Sequence, residues 1–359
     1  MKILITTPID KSIEANPFVK VISEGLESYG NAVTCSRDLF WETPTAFDLI
    51  LFQWPQDILT IEERVQQDPT TISFHLQRIE KQLQFIKSAH IPMFITVHNL
   101  QPHNKIGFLN SIYELVYKYV DAFHHMGNYS FKLMKEQYPN AYHFVVPHPS
   151  YYDFHDVSMN QSDCKKKFGL PSNKPVVLAF GAFRNDDERG LFLDLCCSLK
   201  SRCCFWAPKF NRYLGVKRGK MSKLCTYARY RMKGIKMYRG AISDHDVKEM
   251  VNAADIVFIQ RKKILNSGNL PLGFSFGKIV VGPDVGNVGC ILRETGNPVF
   301  DPNDSNSVIS AMELAYNMYN NDSHQGKKNY EYAKAHWHIG IVTKMIDREI
   351  RMVIKNRTV

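Results

Sequence analysis

The chain has 359 residues, is 44% hydrophobic and 22% charged, and carries a formal net charge of +10. This length suggests two domains of about 100–200 residues each, and the composition excludes a disordered chain. No apolar run approaches the ~18 residues of a membrane-spanning helix, and Met1–Pro8 is too short for a secretory signal, so a cytoplasmic protein is expected.

The first half alternates short apolar runs with helical spacing. Ile3–Thr6 reads as a strand. Val19–Tyr29 follows as a helix with Val19, Ile22 and Leu26 on one face, stopped by Gly30. Ala32–Cys35, Phe47–Gln53, Pro92–His98, Ala122–His125 and Phe144–Val146 read as further strands, and Thr71–Ser88, Ser111–Tyr119 and Asn128–Tyr138 as the helices between them. Such alternation implies a parallel sheet with helices on both faces. Ligands in such sheets sit at the carboxyl ends of the strands, where His98 and His148 fall.

Tyr151–Pro175 is polar, with one short helix near Asp163–Phe168, and reads as the interdomain link. The rhythm then resumes. Strands are expected at Val176–Phe180, Cys203–Ala207, Asp255–Ile259 and Lys278–Gly282, and helices at Leu191–Ser198, Asp244–Ala253 and Asn306–Tyr319, before a helical tail, His324–Lys355. The expected domains are 1–157, a linker 158–174, 175–325, and a segment 326–359 that crosses back onto the first domain.

Charge is unevenly placed. From Leu195 to Ser243 there are thirteen Lys and Arg and no Asp or Glu. The stretch 200–239 therefore suits an anionic membrane surface or a phosphorylated ligand, or is a solvated face. No nucleic-acid motif accompanies it, so no nucleic-acid partner is expected. Eight cysteines include the adjacent pairs Cys196-Cys197 and Cys203-Cys204. Their spacing does not suggest a metal site, and buried, reduced thiols are expected.

Several places can carry chemistry. Gly181 ends a strand and permits a tight loop. Arg184 and Arg189 follow and suit the charge-assisted bonds a diphosphate requires, although Asp186, Asp187 and Glu188 could pair with them instead. Ser267, Gly268, Asn269 and Leu270 form a small polar loop entering a helix, where free amide groups bind anions or merely cap the helix. His98, at the end of a buried strand, is a candidate base or sugar contact, or a structural residue. His148 lies between two prolines on the same side, and His124 and His125 read as mainly structural. Asp284 and Asn287 lie in a Gly-rich turn that closes over a ligand or simply turns the chain.

In this order the motifs resemble bacterial GT-B glycosyltransferases, within them the glycogen-synthase-like, nucleotide-sugar-dependent group of polysaccharide biosynthesis. Gly181-x-x-Arg184 with Arg189-Gly190 is similar to that group's donor-diphosphate element. Ile242–Val257 is similar to its helix–strand element, and Ser267–Pro271 through Gly277–Val281 to its donor-sugar loop. Asn16-Pro17-Phe18 and Thr96–Asn99 resemble its acceptor-side loop and cleft histidine, and Val145–His148 its last strand of that domain.

The resemblance implies an α/β chain of two Rossmann-like domains with a donor in the cleft, C-terminal helices packing back on the first domain, and a metal-independent reaction without cofactor. A UDP- or GDP-linked sugar would be gripped by Gly181, Arg184, Arg189 and Ser267–Leu270. His98 would be catalytic, and Asn16, His148, Asp284 and Asn287 would be possible cleft residues. The acceptor would be a saccharide, lipid-linked in surface (capsule or exopolysaccharide) assembly, reached by a peripheral enzyme at the inner membrane face. The sequence departs from the group's pattern in three ways. Carboxylates near Leu272-Gly273 and upstream are absent, the diphosphate lysine is Arg189, and Thr7-Pro8-Ile9-Asp10 replaces a Gly-rich loop. A nucleotide-sugar epimerase of the same fold and a non-catalytic sugar-nucleotide binding module remain the alternatives.

Overall fold

The computed structural model describes residues 1–9, 17–102, 107–151, 159–210, 228–238 and 242–357. The chain divides into two compact units, Met1–Tyr151 with Ile339–Val359, and Tyr152–His338.

In the first unit, β1 (Lys2–Ile5), β2 (Ala32–Cys35), β3 (Leu49–Phe52), β4 (Met93–Thr96), β5 (Ala122–His125) and β6 (Tyr142–Val145) form a six-stranded sheet in the order β2-β1-β3-β4-β5-β6. Every pairing is parallel. β3, β4 and β5 are buried at every position, as a parallel sheet covered on both faces demands. Helices α1 (Phe18–Glu27), α2 (Pro69–Ser88), α3 (Leu109–Tyr119) and α4 (Asn128–Gln137) provide that cover. The apolar stripe of α1 (Phe18, Val19, Ile22, Leu26) shares one core with Leu51, Phe94 and Phe144.

In the second unit, β7 (Val176–Leu178), β8 (Cys204–Trp206), β9 (Ile235–Lys236), β10 (Ile256–Phe258), β11 (Ile279–Pro283) and β12 (Val299–Phe300) form a second parallel sheet, ordered β12-β11-β10-β7-β8-β9. Around it lie α5 (Gln161–Lys167), α6 (Asp186–Leu199), α7 (Asp244–Ala253), α8 (Asn269–Ser275), α9 (Gly286–Glu294), α10 (Ser305–Asn320) and α11 (Gln325–His336). Alternate strand residues feed two cores. Leu178 and Val257 join one and Val177 and Ile256 the other, the period-two rule of a strand.

Two expected boundaries move. The supposed linker 158–174 contains α5, whose Cys164, with Phe168 just beyond, is buried in the core of the second unit. The tail does not leave at residue 326. α11 stays in the second unit, Trp337 stacks on Phe274 at 5.1 Å, and the last helix, α12 (Ile339–Arg357), is what joins the first unit. Helix α9 and the two-residue strands β9 and β12 were not foreseen, because such short strands carry too little apolar periodicity. Of the basic stretch 200–239, residues 211–227 and 239 lie outside the described residues.

α12 buries Val342, Ile346, Ile350 and Val353 in the core shared with α1. A polar lock fixes its register. Asn31 Nδ2 donates to Asp347 Oδ1 at 2.8 Å, Arg351 Nε donates to Asp347 Oδ2 at 2.7 Å, and Tyr29 OH donates to the Gly340 carbonyl at 2.9 Å. Among the described residues no helix is long and apolar enough to cross a membrane.

β5 carries two buried histidines. His124 hydrogen-bonds Thr96 Oγ1 at 3.2 Å and the Val146 carbonyl at 2.8 Å. His125 Nε2 lies 2.9 Å from His143 Nδ1. Burial pushes the pKa of His124 down to about 4 and that of His125 to about 3.

Two expectations follow. Asp347→Ala should destabilise the first unit by about 1 kcal/mol, because it removes the acceptor that buried Asn31 and half-exposed Arg351 share, and an unchanged urea midpoint would show that the lock contributes nothing. A histidine whose folded pKa is depressed stabilises above its unfolded pKa of about 6.5 and loses that contribution as pH falls toward the folded value. Between pH 7 and 4.5, His124 alone should therefore weaken the first unit by about 2–3 kcal/mol. His124→Asn should shrink this acid-side loss, and identical pH profiles for the two proteins would refute the assignment.

Candidate functional site

In the second sheet the chain runs outward from β7 through β8 to β9, then returns to the other flank of β7 as β10. The switch point therefore lies between the carboxyl ends of β7 and β10, where parallel sheets open a crevice for ligands. Continuing the register Ile256↔Val177 and Val257↔Leu178 sets Gln260 beside Gly181.

The two strand ends are tied by side-chain amides. Asn269 Nδ2 donates to the Phe180 carbonyl at 2.8 Å, and Gln260 Nε2 donates to the same carbonyl at 3.2 Å. Gly181 turns away with φ +92°, in the left-handed region that favours glycine.

Beyond Gly181, Asn185 caps α6 through the Glu188 amide at 2.9 Å. Glu188, with a side chain only 3% exposed, is the hub of this corner. Its Oε2 accepts from the Arg184 amide at 2.8 Å and from Arg261 NH1 at 2.5 Å. The other guanidinium nitrogen of Arg261 lies 3.8 Å from where a Cβ on Gly181 would stand.

The paired arginines expected at a diphosphate separate. Arg184 is exposed at the crevice end of the turn. Arg189 folds inward. Its Nε bonds Asp186 Oδ1 at 3.0 Å and its NH1 the Phe183 carbonyl at 3.1 Å. The pairing that competes for it within α6 is the one formed, because Asp186 stands one turn earlier on the same helix face.

The loop before α8 comes to the same crevice, with its groups largely engaged. The Asn269 amide bonds Ser267 Oγ at 3.3 Å, the Leu270 amide bonds the Ser267 carbonyl at 3.1 Å, and the Gly268 carbonyl accepts from the Leu272 amide at 3.2 Å. Leu270 is 3% exposed and belongs to the core. The expectation of free amides at Asn269 and Leu270 is thereby corrected, because Ser267 caps both.

Asn287 is buried and holds this loop, through its amide to the Leu265 carbonyl at 2.9 Å and its Nδ2 to Asn266 Oδ1 at 2.8 Å. Gly286 lets the two segments meet, since a Cβ there would lie 2.5 Å from the Ile264 carbonyl oxygen. Asp284 is instead ion-paired with Arg293.

Sequence reasoning missed Gln260 and Arg261 as residues of this corner. A signal was present, because Gln260-Arg261-Lys262-Lys263 directly follows a predicted buried strand, and carboxyl-end residues of such strands line the crevice.

In the first unit, His98 and His148 come together at the carboxyl edge of the sheet. Both pack edge-on against Phe18, at 4.5 and 5.0 Å between centroids. His98 also stacks on Trp54 at 4.2 Å, and its Nε2 lies 2.9 Å from Gln53 Oε1. That oxygen can only accept, so Nε2 carries the proton and Nδ1 is the basic nitrogen of the ring. His148 Nδ1 donates to the Pro149 carbonyl at 2.8 Å and its Nε2 lies 3.1 Å from Tyr151 OH, and burial lowers its pKa to about 4, which favours the neutral ring. Asn16 lies outside the described residues.

No family model and no curated protein matches the sequence. Solved structures do match the fold. Sucrose-phosphate synthase from Thermosynechococcus elongatus superposes with a TM-score of 0.73 at 11% identity, covering 99% of each chain. Anabaena HepE in complex with UDP gives 0.70 at 12% identity, covering 98% of this chain and 100% of that one. WaaG, a glycosyltransferase involved in lipopolysaccharide biosynthesis, gives 0.64 at 10% identity, covering 97% and 98%. Two six-stranded parallel sheets matched over almost the whole of these chains give this protein the fold of the GT-B glycosyltransferases.

Proposed function

We propose that this chain is a glycosyltransferase that takes its sugar from a UDP- or GDP-linked donor and passes it to a saccharide hydroxyl. The observation that carries the reading is the switch-point crevice of the second unit. There the Gly181 turn, exposed Arg184 and the Glu188-held Arg261 stand together beside the Ser267–Asn269 loop. Guanidinium groups at such an edge suit a diphosphate. HepE has been solved with UDP and with UDP-glucose, which supports the donor class.

In the reaction the anomeric carbon–oxygen bond to the diphosphate breaks, the nucleoside diphosphate leaves with the electron pair, and the acceptor oxygen bonds the anomeric carbon and loses its proton. Cations at the β7 end stabilise the charge developing on the leaving group. His98, held by Trp54, Phe18 and Gln53, contacts the sugar or assists the acceptor hydroxyl through Nδ1.

One observation favours a second reading, a sugar-nucleotide binding module without turnover. Leu272, near which the resemblance expects a carboxylate, is 4% exposed and sits in the core. Incubation with UDP- and GDP-sugars separates the readings. Nucleotide release that depends on an added saccharide supports transfer, conversion of the donor alone indicates an epimerase, and binding without either indicates the module. In the same titrations Arg184→Ala should weaken donor binding by about 2 kcal/mol, and an unchanged isotherm would remove Arg184 from the site.

We also propose that the acceptor is lipid-linked and is met at an anionic membrane, in surface polysaccharide assembly. The support is the composition of 200–239, of which 211–227 and 239 lie outside the described residues. Within it Arg202 pairs with Glu313 and Lys236 donates to the Gly169 carbonyl. Co-sedimentation with phosphatidylglycerol vesicles should fall steeply with added salt, whereas absent or salt-independent binding would end the membrane reading.

A further inference from the structure

Asp186 offsets the charge of Arg189, and Glu188 that of Arg261. These pairs are electrically neutral, and a diphosphate needs cations that the fold has not already matched. Lys209 answers that description. It lies in the turn after β8, where the neighbouring Phe210 ring is fixed by Phe183 at 4.8 Å and Tyr230 at 4.9 Å. Its Nζ lies 6.0 Å from the Phe180 ring centroid. Among the described residues it has no ion-pair partner, and partial burial lowers its pKa. An unmatched, partly desolvated ammonium is unfavourable by itself and gains most from an incoming anion.

β8 and β10 are the two neighbours of β7, so Lys209 and Arg261 reach the Phe180–Gly181 turn from opposite flanks. Between those flanks, Gln260 is 1% exposed and its Oε1 has no partner, an acceptor that a hydroxyl donor satisfies.

We propose that Lys209 and Arg261 form a two-sided clamp on the diphosphate of the donor, with Lys209 supplying the uncompensated charge and Glu188 positioning Arg261. The inference rests on the donor-site reading above. It moves Lys209 out of the surface stretch with which its sequence groups it and into the binding site.

The test is calorimetric titration with UDP and with uridine at low salt. Lys209→Met should weaken UDP about tenfold or more, while uridine, which lacks the phosphates, binds unchanged. Wild-type affinity for UDP should fall as pH climbs through the lowered pKa of the lysine, and Lys209→Arg should move that fall to higher pH. Arg261→Met leaves Glu188 buried and unpaired and is prone to unfold, so Arg261→Lys is the informative change. It keeps the charge, loses the fork, and should weaken UDP several-fold. Unchanged UDP affinity in Lys209→Met or in Arg261→Lys, or an equal loss for UDP and uridine, overturns the clamp and leaves the donor reading standing. A wild-type protein that binds neither UDP nor GDP overturns both.

Discussion

The arrangement of the second unit depends on one buried carboxylate at the end of the sheet remote from the crevice. Asp255, at the entry to β10, accepts from the Val176 amide at 2.8 Å, from Lys165 Nζ at 2.8 Å and from Gln161 Nε2 at 2.9 Å. It thus binds the first residue of β7, and α5, to the start of β10. A buried ion pair of this kind contributes little net stability, because desolvation offsets attraction, but breaking it is costly. What it secures is register. Once Val176 is pinned to Asp255, the parallel ladder carries the alignment forward, and Gly181 and Gln260 emerge side by side at the far end.

That alignment explains why so much of the candidate site is built from side-chain amides. The Phe180 carbonyl has left the ladder, and a buried carbonyl without a partner is costly. Asn269 and Gln260 supply the partners, and in doing so bring α8 and the Arg261 segment to the mouth of β7. Asn287 repeats the device one strand further on by holding the Leu265–Asn266 segment. Asn269 and Asn287, which looked like ligand contacts, are therefore braces of the crevice.

The first unit solves a different problem. Its sheet is completed in sequence long before the helix that covers it arrives, since α12 comes from the far end of the chain. Apolar burial alone would let an amphipathic helix slide by a turn at small cost. Asn31 on one side and Asp347 with Arg351 on the other make a single register favourable. The histidines of β5 are likewise internal to the sheet, whereas His98 stands at its edge, stacked on Trp54.

Much was legible in the sequence alone. The strands with uninterrupted apolar runs, Leu49–Phe52, Met93–Thr96 and Ile256–Phe258 among them, declare a doubly covered parallel sheet, because burial on both faces leaves no room for polar alternation. In the second half the glycine turn and the small polar loop were legible as the segments that follow β7 and precede α8. What the sequence could not decide is where each charge points. Arg184 and Arg189 are equivalent candidates on paper, and only the folded helix shows that Asp186 captures one of them. Lys209 belongs by sequence to a basic run and by structure to the end of β7, and Arg261 follows a strand without any motif to mark it. Local spacing determines secondary structure, whereas the pairing of charges depends on which strands become neighbours. That choice is made by packing between segments tens of residues apart, and it exists only in the tertiary structure.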